Sequence, residues 1–371
     1  MPGDHTGRMP PLGWDFPAPS RNSNHKMNSP KRNPNFQNVL DLLARRPTAR
    51  PVLFEFIINS SHVERLAGEP LNYDSGDFDR LLRLQVKAFW AAGYDYAVTP
   101  PWLILRSLGF PSVGRERGES VGMAHGGVIR DRASFENYPW PDAEATDWDA
   151  LKRVTPHVPD GMKLIICSPG GVLENLVSLL GFEELCFMLE DEPGLLREIA
   201  DAIGSRLLRY YEMGLQQDSV GAAIVNDDWG FKSQTFLSPA HMREFITPWH
   251  RRIVQAVHAA GLPAILHSCG DLNLLWDDII DDLKFDGKHS YEDTILPVEE
   301  AYERYGSRIA ILGGIDVDFL CRATPDAVYR RCKAMIERTQ LRGGYGLGSG
   351  NSIADYVPAE NFDAMRRAAQ V

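Results

Sequence analysis

The stretch Ala264-Ile-Leu-His-Ser-Cys-Gly270 decides how this chain is read. The apolar run from Leu262 to Leu266 has the length of a buried strand, and it stops abruptly at His267-Ser268-Cys269-Gly270. Alternate residues of an extended chain point the same way. An imidazole and a thiol two residues apart, where a strand opens into a loop, can therefore converge on one atom. Zinc, a borderline-soft ion, accepts that nitrogen and sulfur pair. The plainer account is a small buried apolar Cys269 and a His267 that merely ends the strand. Two ligands do not make a site, so the rest of the chain has to arbitrate.

Working outward, seven more short β-rich runs flank Ala264–His267: Val52–Ile57, Tyr94–Thr99, Lys163–Cys167, Ala222–Asn226, Phe285–His289, Ile309–Leu312 and Tyr345–Gly348. Helical patterns lie between them. Asp77–Ala92 spaces Phe78, Leu81, Leu82, Val86 and Phe89 at helical intervals. Acidic residues and a proline open Pro193–Leu215, Ser238-Pro239 opens a helix to about Ala260, and Thr324-Pro325 opens one to about Gln340. Strands that alternate with helices imply parallel pairing and right-handed crossovers, and a count of eight favours a closed (β/α)8 TIM barrel over an open sheet. Arg106–Asp142 is long and glycine-rich and reads as a hairpin excursion over one end, while Gly170–Glu190 adds extra helix. The sequence has no short internal repeat and no Rossmann or P-loop phosphate loop.

Composition fits an ordinary globular protein: 371 residues, 44% hydrophobic and 24% charged. A net charge of −11 argues against a nucleic-acid surface. No apolar run approaches the roughly 18 residues that cross a bilayer, so no membrane partner is expected. The N-terminus has no apolar signal core and the five cysteines are odd in number and scattered, so a cytoplasmic protein with reduced thiols is expected. Residues 1–32 are polar, rich in Pro, Asn, Ser and Arg, and aperiodic. They read as an extended arm, disordered or draped over the second subunit of a homodimer. Residues 33–371 read as one barrel domain.

A barrel places chemistry at the carboxyl ends of its strands. Those ends supply Glu55, Asn59, Thr99, Cys167, Ser168, Asn226, Asp227, Asp228, His267, Cys269, His289, Glu292, Asp316, Ser349, Gly350 and Asn351. Asp227 and Asp228 are adjacent and face opposite ways if extended. Asp228 is taken as a general base or substrate acceptor, against a loop carboxylate that caps a helix. Asp316 suits substrate orientation and helix capping equally. Asn226 and Asn351 are candidate substrate-contacting amides, the alternative for Asn351 being a turn residue. His289 either faces the site or is satisfied by a backbone carbonyl. Glu55 stands inside the apolar strand Val52-Leu-Phe-Glu-Phe-Ile-Ile58, where a buried charge is costly unless paired or used, so a catalytic role is weighed against a buried salt bridge.

Asn226-Asp-Asp-Trp-Gly230, Ser238-Pro239, His267-Ser-Cys-Gly270, Gly313-Gly-Ile-Asp316 and Pro358-Ala-Glu-Asn361, in that order, resemble the uroporphyrinogen decarboxylase superfamily, which includes zinc-dependent methyltransferases linked to corrinoid proteins. The resemblance runs from about residue 34 to the end and implies the same barrel. True decarboxylases of that superfamily carry an Arg-Gln-Ala-Gly-Arg-Tyr motif near the first strand, whereas Phe54-Glu-Phe-Ile-Ile-Asn59 has no arginine to hold propionates. The methyltransferase branch resembles this chain at His267-x-Cys269, where its members bind zinc. Its further cysteine falls at Asn351, a poor zinc ligand, so a complete His-Cys-Cys set is not present. Glu292 and Asp228 lie at other strand ends and carboxylates are zinc ligands at about 2.0–2.2 Å, so a His267, Cys269 and Glu292 set with an open fourth position is the expectation. The resemblance thus implies methyl transfer between a small substrate and a corrinoid on a separate protein, metal-assisted. The alternatives are a metal-free decarboxylating lyase and a non-catalytic barrel that binds a small ligand.

Overall fold

The computed structural model describes residues 32–112 and 127–370. Eight parallel strands alternate with helices: β1 (Val52–Leu53), β2 (Tyr96–Thr99), β3 (Lys163–Cys167), β4 (Val220–Asn226), β5 (Ala264–His267), β6 (Gly287–His289), β7 (Ala310–Leu312) and β8 (Tyr345–Leu347). Each strand from β2 to β8 pairs with the next, and β8 pairs back to β1 with Val52 opposite Gly346. The sheet curls into a TIM-barrel-like α/β fold. Its strands are buried along nearly their whole length, as parallel strands under a helical coat must be.

Every strand expected from the sequence is present, but β1 is shorter than the run Val52–Ile57. The reason lies at the join between β1 and β2, which carries no strand ladder among the described residues. There the Tyr96 hydroxyl accepts from the Glu55 N–H at 2.6 Å and donates to the Glu55 carbonyl at 2.8 Å. A side chain thus takes both peptide groups that a neighbouring strand would have used.

The helix starts follow the capping signals: Asp77 accepts from the Arg80 N–H, Ser238 from that of His241 and Thr324 from that of Ala327. The segment from Pro239 to Ala259 is not one regular helix, because Met242–Ile246 widens into a π-turn ahead of Thr247–Ala259. Pro248 has no N–H to return to Glu244 and its ring crowds that carbonyl, which loosens the turn before it. The extra helix of Gly170–Glu190 is two helices, Val172–Leu180 and Phe182–Asp191. Of the hairpin expected over Arg106–Asp142, residues 113–126 lie outside the described residues; the described remainder carries the short helix Arg132–Glu136, capped by Asp131, rather than a strand. The arm at residues 1–31 also lies outside them. Among the described residues no helix is long and apolar enough to cross a membrane.

Candidate metal centre

Strand register brings the candidate residues together. Asn226, His267 and His289 stand side by side at the carboxyl ends of β4, β5 and β6. Beyond β4 the two aspartates part. Asp227 turns inward, accepts from the N–H groups of Leu173 and Glu174 at 3.0 and 2.9 Å, and lies 3.2 Å from His250 Nε2, with both side chains fully buried. Asp228 turns to the mouth, where its Oδ1 accepts from the Cys269 N–H at 2.8 Å and lies 4.0 Å from His267 Nε2. Cys269 Sγ is 3.9 Å from the same nitrogen. One donor atom each from Asp228, His267 and Cys269 thus falls within 4.8 Å of the others. The turn after Cys269 needs Gly270, whose φ is +89° and whose missing side chain leaves room for the Gly230 backbone.

Further groups hold this cluster in place. Asn351 Nδ2 donates to Cys269 Sγ at 3.3 Å, and Ser290 Oγ lies 3.8 Å from that sulfur. The Phe56 ring packs on His267 with centroids 4.2 Å apart. Behind His267, its Nδ1 meets His289 Nδ1 at 2.8 Å, and His289 Nε2 meets the Ser349 carbonyl at 3.1 Å. Ser349 is itself gripped by Glu55, whose two oxygens accept from the Ser349 N–H and Oγ–H, each at 2.7 Å.

Burial governs the electrostatics. It pushes His267 well below the ordinary histidine range and His289 down to about 3, so both rings are neutral near pH 7. Burial and then the Asp228 charge push the Cys269 thiol up, and burial raises Asp228 too. Glu55 is pushed up to about 8 by burial, against the pull of the Ser349 hydrogen bonds. Lys288, only 3% exposed, is brought down to about 8 by burial. Its Nζ donates to the Ser290 carbonyl and sits 4.3 Å over the Tyr291 ring. Sequence reasoning missed this lysine, although a signal existed. In Gly287-Lys-His289 the side chains at 288 and 289 face opposite ways, so an inward His289 sends Lys288 into the buried outer layer.

The remaining candidates are placed as follows. Asn226 Oδ1 is 3.4 Å from Ser168 Oγ. Asp316 caps the helix Val317–Arg322 by accepting from the Phe319 N–H at 3.0 Å, and also accepts from the Asp293 N–H at 2.9 Å. Glu292 is not in the donor cluster; it borders a small chamber with Lys288, Trp276 and Tyr291. Glu55 is fully buried and held by Ser349, instead of standing open to a substrate.

Residues 113–371 match the family described as uroporphyrinogen decarboxylase (URO-D). A methylated-thiol–coenzyme M methyltransferase of Methanosarcina mazei is 28% identical over 193 residues, which cover 52% of this chain and 49% of that protein. A uroporphyrinogen decarboxylase of Bacillus mycoides is 26% identical over 179 residues, 47% of each protein. The chain spans about half the length of the curated relatives it matches. Among solved structures, a methyltransferase from Methanosarcina mazei superimposes with a TM-score of 0.66 at 17% identity, over 90% of this chain and 97% of that one. At that identity the likeness speaks for the fold.

Proposed function

The chain belongs to the uroporphyrinogen decarboxylase (URO-D) family, and from that premise we propose that it is a methyltransferase that works through a zinc ion held by His267, Cys269 and Asp228. The methyl group passes between a small substrate and a corrinoid carried by a separate protein. The observation that carries this reading is the mutual approach of an imidazole nitrogen, a thiol and a carboxylate at the barrel mouth. The donors fit zinc in kind, and the Cys269 thiol, pushed up by burial and the Asp228 charge, is a group whose acidity a divalent ion would restore. When bound, zinc supplies the Lewis acidity that holds a thiol substrate as thiolate near neutral pH.

The protein's own groups arrange that chemistry. Asp228 ties down the Cys269 peptide and fixes the loop from which the sulfur projects. The Asn351 amide orients the sulfur and stabilises charge on it through its N–H. Phe56 covers one face of His267 and keeps water from the ring. Porphyrinogen decarboxylation is the weaker reading despite the Bacillus relative. A substrate with many carboxylates would meet no arginine in Phe54–Asn59, and Glu55 is spent on Ser349.

Elemental analysis of wild type, His267→Ala and Cys269→Ala protein, purified without chelator, tests the centre. About one zinc per chain in wild type, lost in both variants, is expected. Transfer from methylcobalamin to small thiols would then be assayed. Metal-free wild type would remove the zinc reading and bring a metal-free lyase forward.

A further inference from the structure

We propose that Glu55, Ser349 and His289 form a positioning chain that fixes which ring nitrogen of His267 keeps its lone pair, and so prepares that residue to bind a metal. Only the last step rests on the zinc reading above. The Ser349 carbonyl fixes the first proton of the chain. A carbonyl oxygen accepts hydrogen bonds and never donates. This one takes the Gly314 N–H at 2.9 Å and faces His289 Nε2 at 3.1 Å, so His289 carries its proton on Nε2. A neutral imidazole protonated there has its lone pair on Nδ1. His267 Nδ1, 2.8 Å away, must then be the donor. His267 is left with a free lone pair on Nε2, the nitrogen that faces Cys269 and Asp228.

Glu55 anchors the far end of the chain. Its carboxyl grips the N–H and the hydroxyl of Ser349, which sets the direction in which the Ser349 carbonyl points. Gly313, at a φ of +70°, leaves room for that carbonyl and for the His289 ring, both of which a side chain there would strike. The Phe54 ring packs on His289 with centroids 5.3 Å apart and limits its swing. The chain thus crosses the barrel from the end of β1 through the β8 loop to β6 and β5, with a hydrogen bond at every link.

Two measurements test it. In chelator-treated protein labelled with [15N]histidine, nitrogen chemical shifts report the tautomers directly, with His267 and His289 assigned from their own variants. The Nδ1–H form of His267 and the Nε2–H form of His289 are expected. The Nε2–H form of His267 overturns the proposal whether or not a metal binds. The second measurement is zinc affinity by chelator competition, together with the absorption bands of the Co(II)-substituted protein. Glu55→Ala and His289→Leu should each weaken zinc by about 10–100-fold and shift the cobalt bands. Glu55→Gln keeps an acceptor for the Ser349 N–H, and Ser349→Ala keeps the carbonyl, so both should stay near wild type. Wild-type zinc affinity and cobalt bands in folded Glu55→Ala and His289→Leu would overturn the chain. A wild type that binds no zinc would defeat the zinc reading instead, and the tautomers would still decide the chain. They also decide it if either variant does not fold.

Discussion

Glu55 has a consequence for stability that can be read without any substrate. Its carboxyl is held up to about 8 when folded and returns to an ordinary value near 4.5 when the chain unfolds. Between those limits the folded protein keeps a proton that the unfolded chain has released. Stability from this group is therefore full below pH 4.5 and drains as pH rises toward 8. In urea unfolding at pH 5, 6, 7 and 8, wild type should lose about 1 kcal/mol per pH unit relative to Glu55→Gln. Parallel pH curves for the two proteins would refute this. Lys288 acts in the opposite sense, since its folded value near 8 lies below its ordinary 10.5. Above pH 8 the folded protein has already lost the proton that the unfolded chain still holds, so between pH 8 and 10.5 this group's contribution rises with pH, and wild type should gain on Lys288→Met by about 1 kcal/mol per pH unit. Among single residues, the sequence made visible what depends on near neighbours. Period two brought His267 and Cys269 to one side, and a lone acid in an apolar strand marked Glu55 as unusual. The partner of Glu55 was hidden, because Ser349 lies 294 residues away and nothing local to either residue announces the other. That Asp228, and not Glu292, approaches His267 and Cys269 was hidden for the same reason: loop paths after β4 and β6 are set by tertiary packing.

Elements were easier to foresee than the loops that join them. The eight strands and the longer helices follow from apolar spacing and from Asp77, Ser238 and Thr324 as caps, all local signals. The sequence misled at β1, where a phenol from β2 ends the ladder early, and near Pro248, where a helix start signal and a helix defect share one residue type. The turn after β7 is where an element's geometry bears most directly on the centre. Gly313→Ala would place a methyl group against the Ser349 carbonyl and the His289 ring, in a backbone region that disfavours side chains. It should cost more than about 1 kcal/mol in urea unfolding, and the His289 ring resonances should shift with it. Wild-type stability with unmoved His289 signals would show that the turn relaxes freely.

For the molecule as a whole, the closure of the ring matters most. Among the described residues seven of the eight joins are ladders between strands, and the join between β1 and β2 carries the two hydrogen bonds of Tyr96 to Glu55. Tyr96→Phe would leave a buried N–H and a buried carbonyl without that partner. It should destabilise the protein by about 1–3 kcal/mol and speed hydrogen exchange at the Glu55 amide, and unchanged exchange there would show that the seam closes by other means. The pairing of β1 with β8 also has a meaning in time. Ser349 leaves the ribosome 294 residues after Glu55. At about 5–20 residues per second, the wait is about a quarter of a minute to a minute. Throughout that interval β1 lacks its ladder to β8, and a chain halted short of Ser349 carries His267 without the tie that orients its ring.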